Sequence, residues 1–367
     1  MPNYLSESTW KASMESVRQL EKEELSQAKD CFICLSGRKT IRIVVTDNEA
    51  WGLINRELKW SISAPVERPD ATIVLLRVDN VEDFFISVFG TDIGGSREFR
   101  TIFMEKGSGI VPKAQLNFEE RTVHIADGDT YYLVTESYCP EEWIKKGHVA
   151  VQMLFRTLNT DPDACLVHGA CVGLDGNGIL MCARGNMGKS TLAVTAMLDG
   201  FEFVSEDYLV LEKDEAGGLF ASPIYSIITL SPRMYNALYD RMDKARFVGI
   251  SHFKGKYVFD FYGYSDRLRR HYPIKACLFP EIDSDAREPK VVPLTGLEKN
   301  RAITHIAHST IFQMWSGGLK QEQKDSDTIL KIINMVKGMA FFKIVLTPNI
   351  QANVDCLRSF ITSKNQL

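Results

Sequence analysis

One short stretch of the sequence combines small residues, a lysine and a hydroxyl in an order that suits phosphate chemistry. It reads Ala183-Arg184-Gly185-Asn186-Met187-Gly188-Lys189-Ser190, which fits the Walker A pattern with Ala in place of the usual first Gly. Small residues let successive backbone N–H groups curl around phosphate oxygens, Lys189 can reach the terminal phosphates, and Ser190 offers a hydroxyl to Mg²⁺. The candidate nucleotide-binding residues are Arg184, Gly185, Asn186, Met187, Gly188, Lys189, Ser190 and Thr191.

Two adjacent acids, Glu206 and Asp207, follow the candidate loop (residues 183–190) after the length of one helix and one short strand. A helix followed by a short strand of this length can bring the two acids back beside the candidate loop. Two carboxylates at a strand end can divide the work, because one can bind Mg²⁺ while the other accepts the proton of an incoming hydroxyl. A Glu-Asp pair elsewhere is usually a solvated turn, but its place beside a phosphate loop favours the functional interpretation. Upstream, His168 closes a strand-like run and is either a core histidine or a ligand-orienting group.

Other classes of nucleotide-binding protein fit less well. The sequence contains no Asn-Lys-x-Asp tetrad, which a GTPase uses to read its base. The run from Met314 to Leu319 is a near miss for the Leu-Ser-Gly-Gly-Gln motif of ABC-type ATPases, but the residues after it, 327–339, indicate a helix rather than a strand ending in Asp-Glu.

The elements that must position these residues can be predicted from periodicity and turn signals. Leu166 to Leu174 and Ile179 to Ala183 indicate two strands joined by a hairpin turn at 175–178, and a helix is expected from Lys189 to Leu198. A further strand pair flanks 214–218. Earlier in the chain, residues 6–28 predict an amphipathic helix, and residues 140–155 predict a helix between two halves. Between them lie the strand-like runs CFICL, TIRIVVT, ATIVLLRV, FFISVF, RTIFM, RTVHIA and TYYLVT.

The composition indicates a folded protein, and the length of 367 residues allows two domains or one large one. The pattern of elements predicts an α/β protein with a strand-rich domain, mixed α/β or mainly β, at 1–145 and a second domain at 146–367. With 43 Lys+Arg against 47 Asp+Glu, the net charge of −4 gives no reason to expect nucleic acid as a partner. No apolar run reaches the ~18 to 20 residues of a membrane span, so we expect no membrane partner and a cytoplasmic location. The sequence leaves a homo-oligomer open. Cys31 and Cys34 form a lone CxxC, which we interpret as part of a strand.

Taken together, His168-Gly169, the candidate loop and Ser205-Glu206-Asp207 resemble the catalytic core of the HPr kinase/phosphorylase family, a P-loop branch akin to phosphoenolpyruvate carboxykinases. The resemblance covers about residues 165–212, with weaker likeness through the apolar strand at 276–280. It implies that residues 146–367 form a P-loop domain of this type. It also implies that phosphate moves from ATP, or another nucleoside triphosphate, to a hydroxyl, commonly serine, of a peptide, protein or small molecule.

Carried over by position, the resemblance implies that Lys189 holds the phosphates, that Ser190 and Asp207 bind Mg²⁺, and that Glu206 takes the base position. His168 would orient a phosphate or carboxylate. The family has Asp where this chain has Glu206, so Glu206 could instead be a second metal ligand. Candidates for the family's distal basic loop are Arg233, the segment 252–256, the cluster 267–271, and Arg301.

Two other functions stay open. In the first, the chain binds a nucleotide as a switch without transferring phosphate, and the N-terminal half does the biological work. In the second, it is a carboxykinase-like lyase, which would need further metal ligands.

Overall fold

The computed structural model describes residues 3–24, 28–45, 48–90, 99–106, 109–118, 121–136, 154, 157–243, 248–253, 256–260, 262–315 and 322–363. The chain divides into two compact units, one formed by Met1–Arg56, Ile62–Thr157 and Met314–Asp325 and the other by Glu57–Ser61, Leu158–Gln313 and Ser326–Leu367. The predicted domain boundary at 145–146 and most of the helix predicted at 140–155 lie outside the described residues.

In its described part, the first unit is built around one sheet with the strand order β1-β5-β6-β7-β8-β4-β3-β2. Its strands are β1 (Asn3–Leu5), β2 (Lys29–Leu35), β3 (Lys39–Val45), β4 (Ala71–Arg77), β5 (Phe99–Lys106), β6 (Gly109–Asn117), β7 (Thr122–Asp127) and β8 (Thr130–Thr135). Its helices are α1 (Glu7–Glu24), α2 (Asn48–Glu57, whose last residue belongs to the second unit) and α3 (Val81–Phe89). Helix α1 confirms the predicted amphipathic helix, because Trp10, Met14 and Val17 are buried on one face.

One predicted strand of this unit is wrong. The run FFISVF belongs to helix α3, not to a strand. Its apolar residues suit either element, and the local capping decides: the Asn80 side chain accepts hydrogen bonds from the backbone N–H groups of Glu82 and Asp83, and Gly90 follows the last turn. The other six runs contribute to strands β2, β3, β4, β5, β7 and β8.

The second unit contains a mixed sheet with the order β12-β10-β11-β18-β14-β13-β9, to which β20 adds on β18 and β19 on β20. The strands are β9 (Ala164–His168), β10 (Ala170–Leu174), β11 (Asn177–Met181), β12 (Glu202–Ser205), β13 (Tyr208–Lys213), β14 (Leu219–Pro223), β18 (Tyr272–Ile282), β19 (Lys290–Pro293) and β20 (Ala340–Leu346). A smaller sheet has the order β15-β17-β16, from β15 (Ile227–Leu230), β16 (Val248–Phe253) and β17 (Lys256–Asp260). The helices are α4 (Lys189–Leu198), α5 (Pro232–Leu238), α6 (Gly296–Trp315, whose last two residues belong to the first unit), α7 (Glu322–Val336, of which Glu322–Asp325 belong to the first unit) and α8 (Ile350–Thr362).

Strands β11, β18 and β20 run parallel at the centre of the larger sheet and are covered on both faces. Side chains alternate along β11: Ile179 and Met181 belong to the core that includes α4 and α8, whereas Leu180 belongs to the core that includes α6 and α7. A parallel sheet buried between helices in this way is typical of the α/β class. The predicted α/β class is confirmed.

The hairpin, the helix at Lys189–Leu198 and the strand pair around 214–218 are confirmed. Asp175 and Gly176 form the hairpin turn with φ of 50° and 79°. The prediction of one strand from Leu166 to Leu174 is wrong, because the chain breaks at Gly169 into β9, which pairs with β13, and β10, which pairs with β11 and β12. Among the described residues, no helix has the length and apolar character needed to cross a membrane.

Candidate functional site

The candidate loop joins the end of β11 to the start of α4, as phosphate binding at a helix N-terminus requires. Gly188 stands at the N-cap of α4 with φ of 87° and provides no side-chain hydrogen bond to the helix. The N–H groups of the first turn therefore have no side-chain cap there, and such groups are the usual donors to a bound phosphate. Arg184, Gly185, Asn186 and Met187 are exposed.

Gly188 also brings the candidate loop close to two central strands. A Cβ atom at this position would lie 2.7 Å from Leu346 Cδ1, at the end of β20, and 3.6 Å from Ile282 Cγ1, at the end of β18. Any larger residue would have to move Leu346 as well as adopt a left-handed backbone. The loop is thereby fixed over the carboxyl ends of the parallel strands.

Three of the predicted site residues come together beside the loop. Lys189 is buried at the start of α4, and its Nζ lies 3.8 Å from Asp207 Oδ1. The same carboxylate oxygen lies 3.1 Å from His168 Nε2. Because Asp207 is about one third exposed, at 32%, it is the accessible member of this group. The side chains of Lys189, Asp207 and His168 therefore place an ammonium group, a carboxylate and an imidazole next to one another beside the loop.

A tight turn presents the two acids. Strand β12 ends at Ser205 and β13 begins at Tyr208, so Glu206 and Asp207 form a turn, which we call the acid turn. The Ser205 hydroxyl donates to the Tyr208 carbonyl at 2.7 Å, and the Gly169 N–H donates to the Asp207 carbonyl at 2.7 Å. These bonds fix the acid turn against the break between β9 and β10.

His168 reaches the acid turn because β9 and β13 pair in register, with His168 opposite Tyr208 and their ring centroids 5.2 Å apart. Burial raises the pKa of Tyr208 well above its usual value, so its hydroxyl stays protonated. The backbone N–H of His168 donates to Thr310 Oγ1 on α6 at 3.1 Å. Its Nδ1 is buried and has no hydrogen-bond partner in the described part of the chain.

The structure places Glu206 differently from Asp207. Glu206 is 4% exposed, and its Oε1 accepts hydrogen bonds from both the backbone N–H of Thr229 at 2.9 Å and the Thr229 hydroxyl at 3.0 Å. Thr229 lies in β15, whereas Asp207 lies next to Lys189 and His168. The predicted base position of Glu206 stays a prediction.

The predicted distal basic residues lie in several places. Arg269 pairs with Glu202 at 2.7 Å, and His271 binds Glu212 at 3.0 Å, so two members of the cluster at 267–271 bind acids of β12 and β13. Arg233 and Arg301 are exposed, on α5 and α6. The segment 252–256 covers the end of β16 and the start of β17, and its residues 254–255 lie outside the described residues, as do residues 316–319 of the run at 314–319.

Three residues near the site had no signal in the sequence. Thr229 lies within an apolar run and Thr310 follows His308 and Ser309, and only the fold brings these two threonines to the acid turn and to His168. His305 of α6 is near the start of the candidate loop: burial and then the charge of Arg184 lower the pKa of His305, while a hydrogen bond with the Ala183 carbonyl opposes them.

A magnesium ion that arrives with a nucleotide fits the donors present. No cluster of three or more His, Cys, Asp and Glu side chains suited to a metal occurs in the described part of the chain. Mg²⁺ bound to a nucleotide needs only one or two protein oxygens in addition to phosphate oxygens and water. The Ser190 hydroxyl, in the first turn of α4, and the accessible Asp207 carboxylate are oxygen donors of this kind.

Comparisons with known proteins give a weak structural likeness and no match to a family model or a curated protein. Among solved structures, the Hpr(Ser) kinase/phosphatase from Coxiella burnetii matches with 12% sequence identity, over 53% of this chain and 94% of that chain, with a TM-score of 0.28. At that TM-score the two structures share too little for the match to support an inference about either fold or function.

Proposed function

We propose that the protein is an ATP-dependent kinase that transfers the terminal phosphoryl group to a hydroxyl, commonly serine, of a peptide, protein or small molecule. The observation that carries the proposal is the meeting of Lys189 Nζ and Asp207 Oδ1, 3.8 Å apart, next to a loop that leads into an uncapped helix N-terminus. A lysine and a carboxylate placed in this way beside such a loop are what phosphoryl transfer from a magnesium-bound nucleotide uses. The second domain then corresponds to a P-loop domain of the HPr kinase type, with residues 1–145 as an accessory or substrate-recognition domain.

In this proposal the residues of the chain mainly bind and orient. The loop N–H groups and Lys189 hold the phosphates, while Ser190 and Asp207 provide oxygens for Mg²⁺, which neutralises charge on the phosphate oxygens when it is bound. The acceptor oxygen forms a bond to the terminal phosphorus, and the bond from that phosphorus to the bridging oxygen breaks. The nucleoside diphosphate leaves with the electron pair. The hydroxyl proton passes to a carboxylate of the acid turn.

Transfer of label tests the proposal. Purified protein is incubated with ATP labelled in its terminal phosphate, Mg²⁺ and a pool of acceptors that includes free L-serine and serine peptides. We expect label to move to an acceptor, and Lys189→Ala to abolish the movement because it removes the cation that holds the terminal phosphates. The matched control is Lys275→Ala, since Lys275 is an exposed lysine of β18. If the wild-type protein binds Mg·ATP but labels no acceptor, the kinase proposal is wrong.

A second candidate function is a nucleotide-binding module without transferase activity. The observation that favours it is the burial of Glu206, whose Oε1 already accepts two hydrogen bonds from Thr229. A carboxylate held in this way is poorly placed to accept a proton from a substrate. Tight binding of Mg·ATP, with no turnover against any acceptor, would favour the module over the kinase.

A further inference from the structure

The two neighbouring carboxylates of the acid turn have opposite environments. Asp207 is 32% exposed and lies between Lys189 and His168, with distances of 3.8 and 3.1 Å. Glu206 is 4% exposed, and its described hydrogen bonds go to Thr229. The acid that the resemblance places in the base position is therefore the less accessible of the two.

Thr229 is itself firmly held. Its neighbours Ile228 and Leu230 are fully buried in the core that also contains α4. β15 pairs with β17, with Thr229 opposite Val258. A threonine between two buried neighbours has little freedom to follow a moving carboxylate, so Thr229 sets the position of Glu206 rather than the reverse.

Both hydrogen bonds from Thr229 end on the same oxygen of Glu206. Loss of this acceptor oxygen would leave both donors of the part-buried Thr229 without their partner. The hydrogen bonds from Thr229 hold Glu206, the first residue of the acid turn, and Asp207 is the next residue. Moving Glu206 away from β15 would shift Asp207 relative to Lys189.

We infer that Glu206 is a positioning residue, which ties the acid turn to β15 through Thr229, and that Asp207 is the acid facing the transferred phosphoryl group. The role of Asp207 rests on the proposed function, whereas the attachment of Glu206 to Thr229 does not. It departs from the role that the resemblance gives Glu206. It also adds Thr229 to the residues on which the site depends.

Four substitutions separate a positioning role from a base. Glu206→Gln keeps an acceptor oxygen for Thr229 but cannot accept a proton at neutral pH, whereas Glu206→Ala loses the tie. Thr229→Val removes the hydrogen bond from the hydroxyl to Glu206, whereas Thr229→Ser keeps a hydroxyl that can form it. The rate of phosphate transfer from Mg·ATP to L-serine is measured for each variant, together with the Mg²⁺ concentration that gives half the maximal rate.

We expect Glu206→Gln to lower kcat by less than about tenfold, because a general base contributes about 10²–10⁴-fold and none is lost. Glu206→Ala and Thr229→Val are expected to raise the Mg²⁺ requirement several-fold, because Asp207 shifts. Thr229→Ser is expected to have the Mg²⁺ requirement of the wild type. A merely structural role would change the unfolding midpoint without changing the Mg²⁺ requirement. A fall of a hundredfold or more in Glu206→Gln, at an unchanged unfolding midpoint, would overturn the inference, and so would an unchanged Mg²⁺ requirement in both Glu206→Ala and Thr229→Val.

A second readout keeps the inference testable if the wild-type protein transfers no phosphate. The affinity for a non-hydrolysable ATP analogue is measured by calorimetry at several Mg²⁺ concentrations. The inference predicts a weaker Mg²⁺ dependence in Glu206→Ala than in Glu206→Gln. Equal Mg²⁺ dependence in these two variants contradicts it, whereas missing turnover alone contradicts only the kinase proposal.

Discussion

The most informative stability test concerns Gly188, since the backbone and the surroundings of this residue both exclude a side chain. Its φ of 87° is in the left-handed region, where a residue with a Cβ costs about 1–2 kcal/mol. The added Cβ would also lie 2.7 Å from Leu346 Cδ1, and Leu346 is 5% exposed, so its side chain has little space into which to move. Overpacking of this kind costs about 1–3 kcal/mol. We therefore expect Gly188→Ala to lower the free energy of unfolding by about 2–5 kcal/mol.

The assay follows hydrogen exchange of the α4 amides in increasing urea, because a two-unit chain need not unfold in one step. The control is Gly185→Ala in the same loop, where a Cβ would have no heavy atom within 4 Å. A double-mutant cycle with Leu346→Val, which removes the contacting Cδ1, isolates the steric part. Leu346→Val should cost less in the Gly188→Ala background than in the wild type. Equal stability of Gly188→Ala and Gly185→Ala would refute the reasoning.

Two further outcomes are expected. Asn80→Ala removes the side chain that accepts hydrogen bonds from the N–H groups of Glu82 and Asp83 at 2.9 and 3.1 Å. We expect the free energy of unfolding of the first unit, measured in urea, to fall by about 1 kcal/mol. An unchanged free energy of unfolding would contradict the capping role. Burial and the charge of Arg184 lower the pKa of His305 in the folded state, so its contribution to stability is fully present above the unfolded pKa of about 6.5 and is lost as the pH falls through the folded value. His305→Asn should therefore flatten the fall in the unfolding midpoint below about pH 6.5, and an unchanged slope would show that His305 is not its source.

The sequence predicts the elements around the loop well because their signals are local. The Asp175-Gly176 pair favours the left-handed conformations that its hairpin turn adopts. Lys189 to Leu198 is a run of helix-compatible residues that ends at Asp199-Gly200, and the helix ends there. These signals need only neighbouring residues, so a single sequence carries them.

The errors arise where distant contacts decide. The break at Gly169 comes from β9 and β10 pairing with different strands, and the N–H of Gly169 donates to Asp207, far along the chain. The bonds of Glu206 to Thr229 likewise depend on how β15 approaches the acid turn. Periodicity does not encode which strands will be neighbours, so neither feature could be predicted from the residues alone.

The central claim is that the loop from Ala183 to Ser190 binds the phosphates of a nucleotide with the help of Lys189. Calorimetry with Mg²⁺ and ATP, repeated with GTP, tests it most directly. The claim predicts a saturable heat of binding for the wild-type protein with at least one of these nucleotides, and a large loss of affinity in Lys189→Ala while Lys275→Ala binds as the wild type does. No heat of binding with either nucleotide, or equal affinity in Lys189→Ala and the wild type, would contradict it.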